Sequence, residues 1–249
     1  MLAAVKSEFR KLCSVRSTYV ITGIGLLLTI FVSSYVEGFN LKGADLHDPN
    51  HYTSVITGAL TNIPIILGSI VALLLITHEY RYNTILYTLT NSKSRSRVLA
   101  AKIVTISVYA LLLTLVVAAL APLASYVGIS LKGSHLAAQT IPFAGLLWRS
   151  LYYGWTSLLA PLAIGVLVRS QVGAIVTLFV VPTIELMFTS LLKTKAVYLP
   201  FTGASNAILI HPQASQGTMS YGRAAIVFGV YLLIVWIVAW LLFLRRDAN

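Results

Sequence analysis

The chain has 249 residues, of which 57% are hydrophobic and only 10% charged, with a formal net charge of +11. This composition excludes a soluble domain, which carries roughly 25% charged residues, and the long unbroken apolar runs exclude a β-barrel, whose strands alternate over about ten residues. The positive balance does not point to nucleic acid, because the basic residues stand at the ends of apolar runs, where they act as topology signals and attract anionic lipid.

Residues 1–17 form the first predicted element. Leu2, Val5, Phe9 and Leu12 recur at intervals of three and four and share one helical face, while Lys6, Ser7, Arg10, Lys11 and Ser14 lie mostly elsewhere. This is an amphipathic helix suited to the membrane interface, with Val5, Phe9, Arg10 and Leu12 as its contact residues. Cys13 is the only cysteine, so no internal disulfide forms, and a small half-buried residue is expected there.

A helix needs about 20 apolar residues to cross roughly 30 Å of hydrocarbon. Such runs fall at roughly 18–36, 56–77, 103–128, 146–168, 172–192 and 224–244. The outer loop 37–55 brings Asp45, His47, Asp48 and His51 close in sequence, but without a scaffold that would arrange them as metal ligands. Pro64, Pro122, Pro161 and Pro182 put one proline in each of the four middle runs, where each removes a backbone donor and permits a kink.

The loop 78–102 follows the second run. Thr84 to Leu89 is predicted as a short helix with Ile85, Leu86 and Leu89 facing one way, a shape that docks into a groove on a soluble partner. Ser94 or Ser96 caps the helix that becomes the third span. Glu79 and Arg81 are expected to pair with each other or with the N-terminal helix.

Glu185 lies inside the fifth run, where an ionised side chain costs about 2.5–3.5 kcal/mol. It is expected to face the bundle, the substrate path or a subunit interface, with Thr183, Thr189 or a Tyr of another span as partner. Val197 to Leu209 is too apolar for a free loop and too short for a span. It reads as a re-entrant or interfacial piece at the outer mouth.

The fold class is therefore an all-α integral membrane protein, six transmembrane helices preceded by an N-terminal amphipathic interfacial helix, in a single transmembrane domain over 1–249. With the N-terminus inside, 12 Lys and Arg fall on the inner side and 6 on the outer, which predicts two cytoplasmic termini.

The loop resembles that of ABC-2 type transporter permeases, the membrane subunits of a class of ATP-binding-cassette exporters. Glu79, Arg81, Thr84, Ile85, Arg97 and Lys102 match the family pattern of an acidic residue, an Arg, Thr with an aliphatic residue, and a basic turn into the third span. The amphipathic N-terminus, six spans and short tail Arg245-Arg246-Asp247 also match. The resemblance implies a coupling helix at Glu79–Leu89 that docks on separate ABC ATPase subunits, and a second permease subunit, identical or different. It also implies a multi-pass protein of the plasma membrane, such as a bacterial inner membrane. No GxxxxGK[ST] phosphate loop occurs in the chain. ATP and Mg²⁺ are therefore expected on the partner, with no cofactor and no enzyme activity on this chain. The competing reading is an ATP-independent carrier, channel or scaffold. An intramembrane enzyme would need facing catalytic groups within the spans, and Glu185 is the only carboxylate well inside one.

Overall fold

The computed structural model describes residues 2–43, 45–85, 87, 94–210 and 219–245. Its elements are helical throughout, with no β-sheet among the described residues. Helix α1 (Leu2–Ser14) turns at Val15 into α2 (Arg16–Phe31), which continues as a π-helical stretch over Val32–Phe39. Then come α3 (His51–Thr61), α4 (Ile63–Arg81), α5 (Arg95–Leu131), α6 (Phe143–Val168), α7 (Gln171–Leu192) and α8 (Tyr221–Arg245).

Among the described residues, six helical stretches are long and apolar enough to cross a membrane: Arg16–Phe39, His51–Arg81, Arg95–Leu131, Phe143–Val168, Gln171–Tyr198 and Tyr221–Arg245. Each apolar run of the sequence lies within one of them. The helices outrun the apolar segments, and in two of them a serine caps the polar start. Ser94 accepts a hydrogen bond from the Arg97 backbone N–H and starts α5 at Arg95. With 37 residues, α5 is about 55 Å long and outreaches the hydrocarbon.

The second span is two helices. Asn62 leaves the helical region at φ −111° and ψ −144°, and its side chain donates to the Gly58 carbonyl at 2.6 Å. Pro64 then occupies the first turn of α4, where its missing N–H costs nothing. Pro122, Pro161 and Pro182 instead lie inside α5, α6 and α7, which run on through them.

The core lies between α4, α5 and α6. Leu73, Ile76, Ile106, Leu158 and Leu162 are fully enclosed there. In lipid, close approach of helices replaces the hydrophobic drive as the source of packing energy, so small residues mark the tightest crossings. Gly154 of α6 faces Thr114 of α5. Gly128 of α5 meets the π-helical stretch so closely that a Cβ would fall 1.9 Å from the Ser34 carbonyl oxygen. Ser125 fastens the same crossing by donating to the Glu37 carbonyl at 3.0 Å, and His51 Nε2 lies 3.0 Å from its hydroxyl.

The outer-loop residues go separate ways. His47 Nδ1 lies 3.1 Å from the Gly43 carbonyl, and Asp48 accepts from the Asn50 backbone N–H. No group of three or more metal-binding side chains occurs among the described residues. Cys13, expected half-buried, is exposed, because it is turned about 100° around α1 from buried Leu12.

Gly128→Ala is expected to destabilise the protein by about 1–3 kcal/mol through overpacking against backbone. The control is Gly58→Ala, whose added Cβ meets no atom within 4 Å. Thermal unfolding in one detergent compares them, and equal melting temperatures would refute the crossing as a constraint.

Candidate functional site

One end of the bundle gathers α1, the end of α4, the start of α5 and the end of α8. Arg95 reaches across to the Leu244 carbonyl at 3.4 Å, which ties α5 to the last turn of α8.

At the centre of this end four charges form a closed ring. Glu8 Oε1 and Oε2 each lie 2.7 Å from an ammonium group, of Lys11 and Lys102 respectively. Glu79 Oε1 receives both lysines, Lys11 at 2.6 Å and Lys102 at 2.9 Å. Lys102 also donates to the Leu75 carbonyl at 3.2 Å, so its three donors are all used. Its side chain is 0% exposed, and those of Glu8 and Glu79 are 4% and 7%. The two carboxylates and two ammonium groups balance. This is the condition under which buried charge is tolerated. Burial works against charge on Lys11, but its hydrogen bonds to Glu79 and Glu8 and their negative charge together raise its pKa above the ordinary lysine value. A raised lysine pKa means that this contribution holds through neutral pH and is lost only as pH climbs through the raised value.

Glu79 therefore pairs with the N-terminal helix. Arg81 takes neither partner expected of it: its guanidinium donates to the Gln171 side-chain carbonyl at 3.1 Å and stacks 5.4 Å from the Tyr82 ring. Arg81 lies two residues after Glu79, on roughly the opposite side of α4, and is exposed, so it links α4 to the start of α7 instead.

The chain leaves α4 through a defined stop. Asn83 adopts a left-handed φ of 52°, its N–H bonds the Tyr80 carbonyl, and the Thr84 N–H bonds the Glu79 carbonyl at 3.0 Å. This is a Schellman closure, with Asn in the position that tolerates the left-handed region. It reverses the chain and turns Ile85 inward, where it is 3% exposed and joins the core. The expectation that Ile85 shares an outward docking face is corrected accordingly. Thr84 and Tyr87 are exposed, while Leu86 and Leu89 lie outside the described residues.

On α1, Leu12 is buried and Val5 and Phe9 are half-buried, whereas Arg10 is exposed. Glu8 escaped the sequence reading. The signal was present: Glu8 is three residues after Val5 and four before Leu12, on the apolar face, and is the only acidic residue before Glu37.

At the other end, Glu185 finds a partner that the sequence did not suggest. Its Oε2 accepts from the backbone N–H groups of Phe201 and Thr202, both at 2.9 Å, and from the Thr202 hydroxyl at 3.2 Å. Thr183 and Thr189, the expected partners, donate instead to carbonyls of their own helix, Phe179 and Leu186. The N–H groups that start a helical segment have no partner within it, and a carboxylate satisfies them. Here that segment is 200–207, a π-helical turn passing into an α-turn. It packs inward through Ala204, Ala207 and Ile208, and so roofs the bundle where an interfacial piece was expected. Beneath it, between α4, α6 and α7, lies a cavity of about 390 Å³. Ser69, Ser157, Thr183, Thr202 and Asn206 give it polar groups, Phe179, Phe201 and Phe228 give it aromatic walls, and no lining residue carries a formal charge.

The family model described as ABC-2 family transporter protein matches residues 4–190, from α1 into α7. No curated protein matches the chain.

Removing one member of a buried ionic group strands the rest and costs about 3–5 kcal/mol. Lys102→Met is expected to lose that much, while the Glu8→Met/Lys102→Met pair, which leaves Glu79 with Lys11, recovers much of it. Chemical unfolding in a fixed detergent checks this, and a double variant no better than the single one would refute a coupled ring. At the other end of the bundle, Glu185→Gln keeps an acceptor for Phe201 and Thr202 and should fold. Glu185→Lys places a donor against two donors and should lower the yield of folded protein by size-exclusion chromatography; equal yields would mean that the contact holds nothing.

Proposed function

We propose that this chain, which belongs to the ABC-2 transporter family as a membrane permease, is the permease subunit of an exporter, paired with a second permease and driven by separate ABC ATPase subunits that bind ATP and Mg²⁺. The end bearing both termini is the cytoplasmic end in this reading.

The observation that carries the reading is the charge ring. An ATPase pressing on the loop 82–93 would apply its force next to Glu79. Glu79 shares its carboxylate with Lys11 of α1 and Lys102 of α5. A push on the loop therefore cannot move α4 alone; α1, α4 and α5 move together. Arg81 extends the same connection to α7 through Gln171. Higher in the second span, the break at Asn62 lets α4 tilt without dragging α3 as a rigid rod. The cavity beneath the outer segment then lies on the moving side of the bundle. Its aromatic walls and uncharged polar groups suit an apolar or amphipathic cargo without a strong formal charge.

In this reading Leu86 and Leu89 supply apolar docking contacts, with Thr84 at the entry of the coupling helix. Glu79 and Ile85 act differently, by fastening that helix to the core. Leu86→Asp should leave the chain inserted and folded, but remove a co-purifying ATPase subunit from a mild-detergent pull-down analysed by mass spectrometry. Glu79→Ala should retain the ATPase and uncouple its stimulation from transport. Unchanged ATPase stimulation and transport in both variants would sink the assignment, as would an absence of any ATPase partner in several detergents.

A further inference from the structure

A second cavity, of about 530 Å³, lies between α1, the start of α2 and the end of α4. Leu12, Val71, Leu74 and Leu75 form its apolar wall, and Lys11, Ser17, Thr18, His78, Glu79 and Thr84 line its polar side. It sits where the spans Arg16–Phe39 and His51–Arg81 both end, the level at which lipid headgroups meet the hydrocarbon.

Two independent features mark its polar side. The first is the start of α2. Its N-cap is Val15, which has no side-chain oxygen to offer, and no acidic residue stands in the first turn. The Thr18 N–H reaches back to the Val15 carbonyl at 3.1 Å, while the N–H groups of Arg16 and Ser17, at the positive end of the dipole, have no acceptor among the described residues. The hydroxyls of Ser17 and Thr18 line the cavity beside them, and exposed Arg16 adds positive charge. The second is Glu79. The residue is 5% exposed and lines the same cavity, yet its Oε2 has no hydrogen-bond partner. Both lysines of the ring go to Oε1. A buried carboxylate oxygen without a donor is costly, and the ligand that relieves it must bring an N–H or O–H.

We propose that this cavity binds a phospholipid with a primary-amine headgroup, of the phosphatidylethanolamine class. Its phosphate lies at the start of α2 with Ser17 and Thr18, its ammonium donates to Glu79 Oε2, and its acyl part runs along Leu74, Leu75 and Val71. An anion and a hydrogen-bonding cation a few atoms apart, joined to an apolar tail, match the three walls together. A choline headgroup carries its charge on a nitrogen without N–H and donates nothing to Glu79. A glycerol headgroup offers only neutral O–H donors, which bond a carboxylate more weakly than an ammonium does. A lipid seated here splints the elbow between α1 and α2 against α4, beside the ring. This assignment does not depend on the ATPase reading.

The test uses the full chain purified in detergent, stripped of lipid, and reconstituted with dioleoyl phosphatidylethanolamine, phosphatidylcholine or phosphatidylglycerol. Native mass spectrometry reads retained lipid, and thermal unfolding reads stabilisation. The ethanolamine lipid should be retained at one per chain with about tenfold preference over the other two, equivalent to about 1.4 kcal/mol. Ser17→Ala/Thr18→Val, which leaves the charge ring intact, should reduce that preference several-fold without changing the melting temperature of the stripped protein. Equal retention of the three lipids would overturn the proposal. So would an unchanged preference in the double variant. Soluble O-phosphoethanolamine raising the melting temperature as much as the lipid would also overturn it, in favour of a free headgroup-like ligand.

Discussion

Four charges in a closed ring, three of them buried and Lys11 partly exposed, decide how one end of this protein is assembled. Glu8 and Lys11 come from the N-terminal helix, Glu79 from the end of the second span and Lys102 from the beginning of the third. Taking these groups out of water is expensive, and a well-packed apolar cluster of the same volume would be at least as stable. What the ring adds is exclusivity. An apolar helix face can slide along a bundle at little cost, but an ammonium group with three donors and three fitted acceptors accepts one position only. Helix α1 is thereby held in one register against α5, and α5 against α4.

The rest of that end depends on the same constraint. Glu79 has two duties: its side chain completes the ring, and its backbone carbonyl accepts the closing bond of the Schellman turn at Thr84. The residue that stops α4 is therefore the residue that anchors it. The loop departs from a fixed point, and Ile85 is drawn into the core immediately afterwards. A permease of the ABC-2 family with this arrangement has a stiff base beneath the loop that follows α4. In the proposed mechanism that stiffness turns a local push into movement of three helices.

The opposite end uses a carboxylate for a different purpose. Glu185 holds no opposing charge; it receives two backbone N–H groups and a hydroxyl at the start of the segment 200–207. Three donors converge on this one oxygen. They also hold Phe201 and Thr202 over the cavity that those two residues help to line. Between the stiff base and this roof, the break at Asn62 and the prolines within α5, α6 and α7 are the places where the helix ladder lacks a bond.

What the sequence determined by itself is whatever depends on local composition and periodicity. Six apolar runs require six helices, since no other open structure satisfies the backbone in lipid. The three-and-four spacing of Val5, Phe9 and Leu12 likewise specifies an amphipathic helix, and Ser94 specifies where the third span begins. The family pattern around Glu79 is legible too, because it is a short contiguous string. Only the tertiary structure decided which charges meet. Glu8 and Lys102 are 94 residues apart, and Glu185 is joined to a segment 16 residues downstream that has no polar side chain pointing to it except Thr202. Sequence spacing carries side-chain direction only along one helix. Between helices, partners are chosen by how the helices cross, and those crossings are set by the close approaches at Gly128 and Gly154. A backbone N–H, moreover, is present at nearly every residue, so no letter of the sequence marks the pair that Glu185 finds.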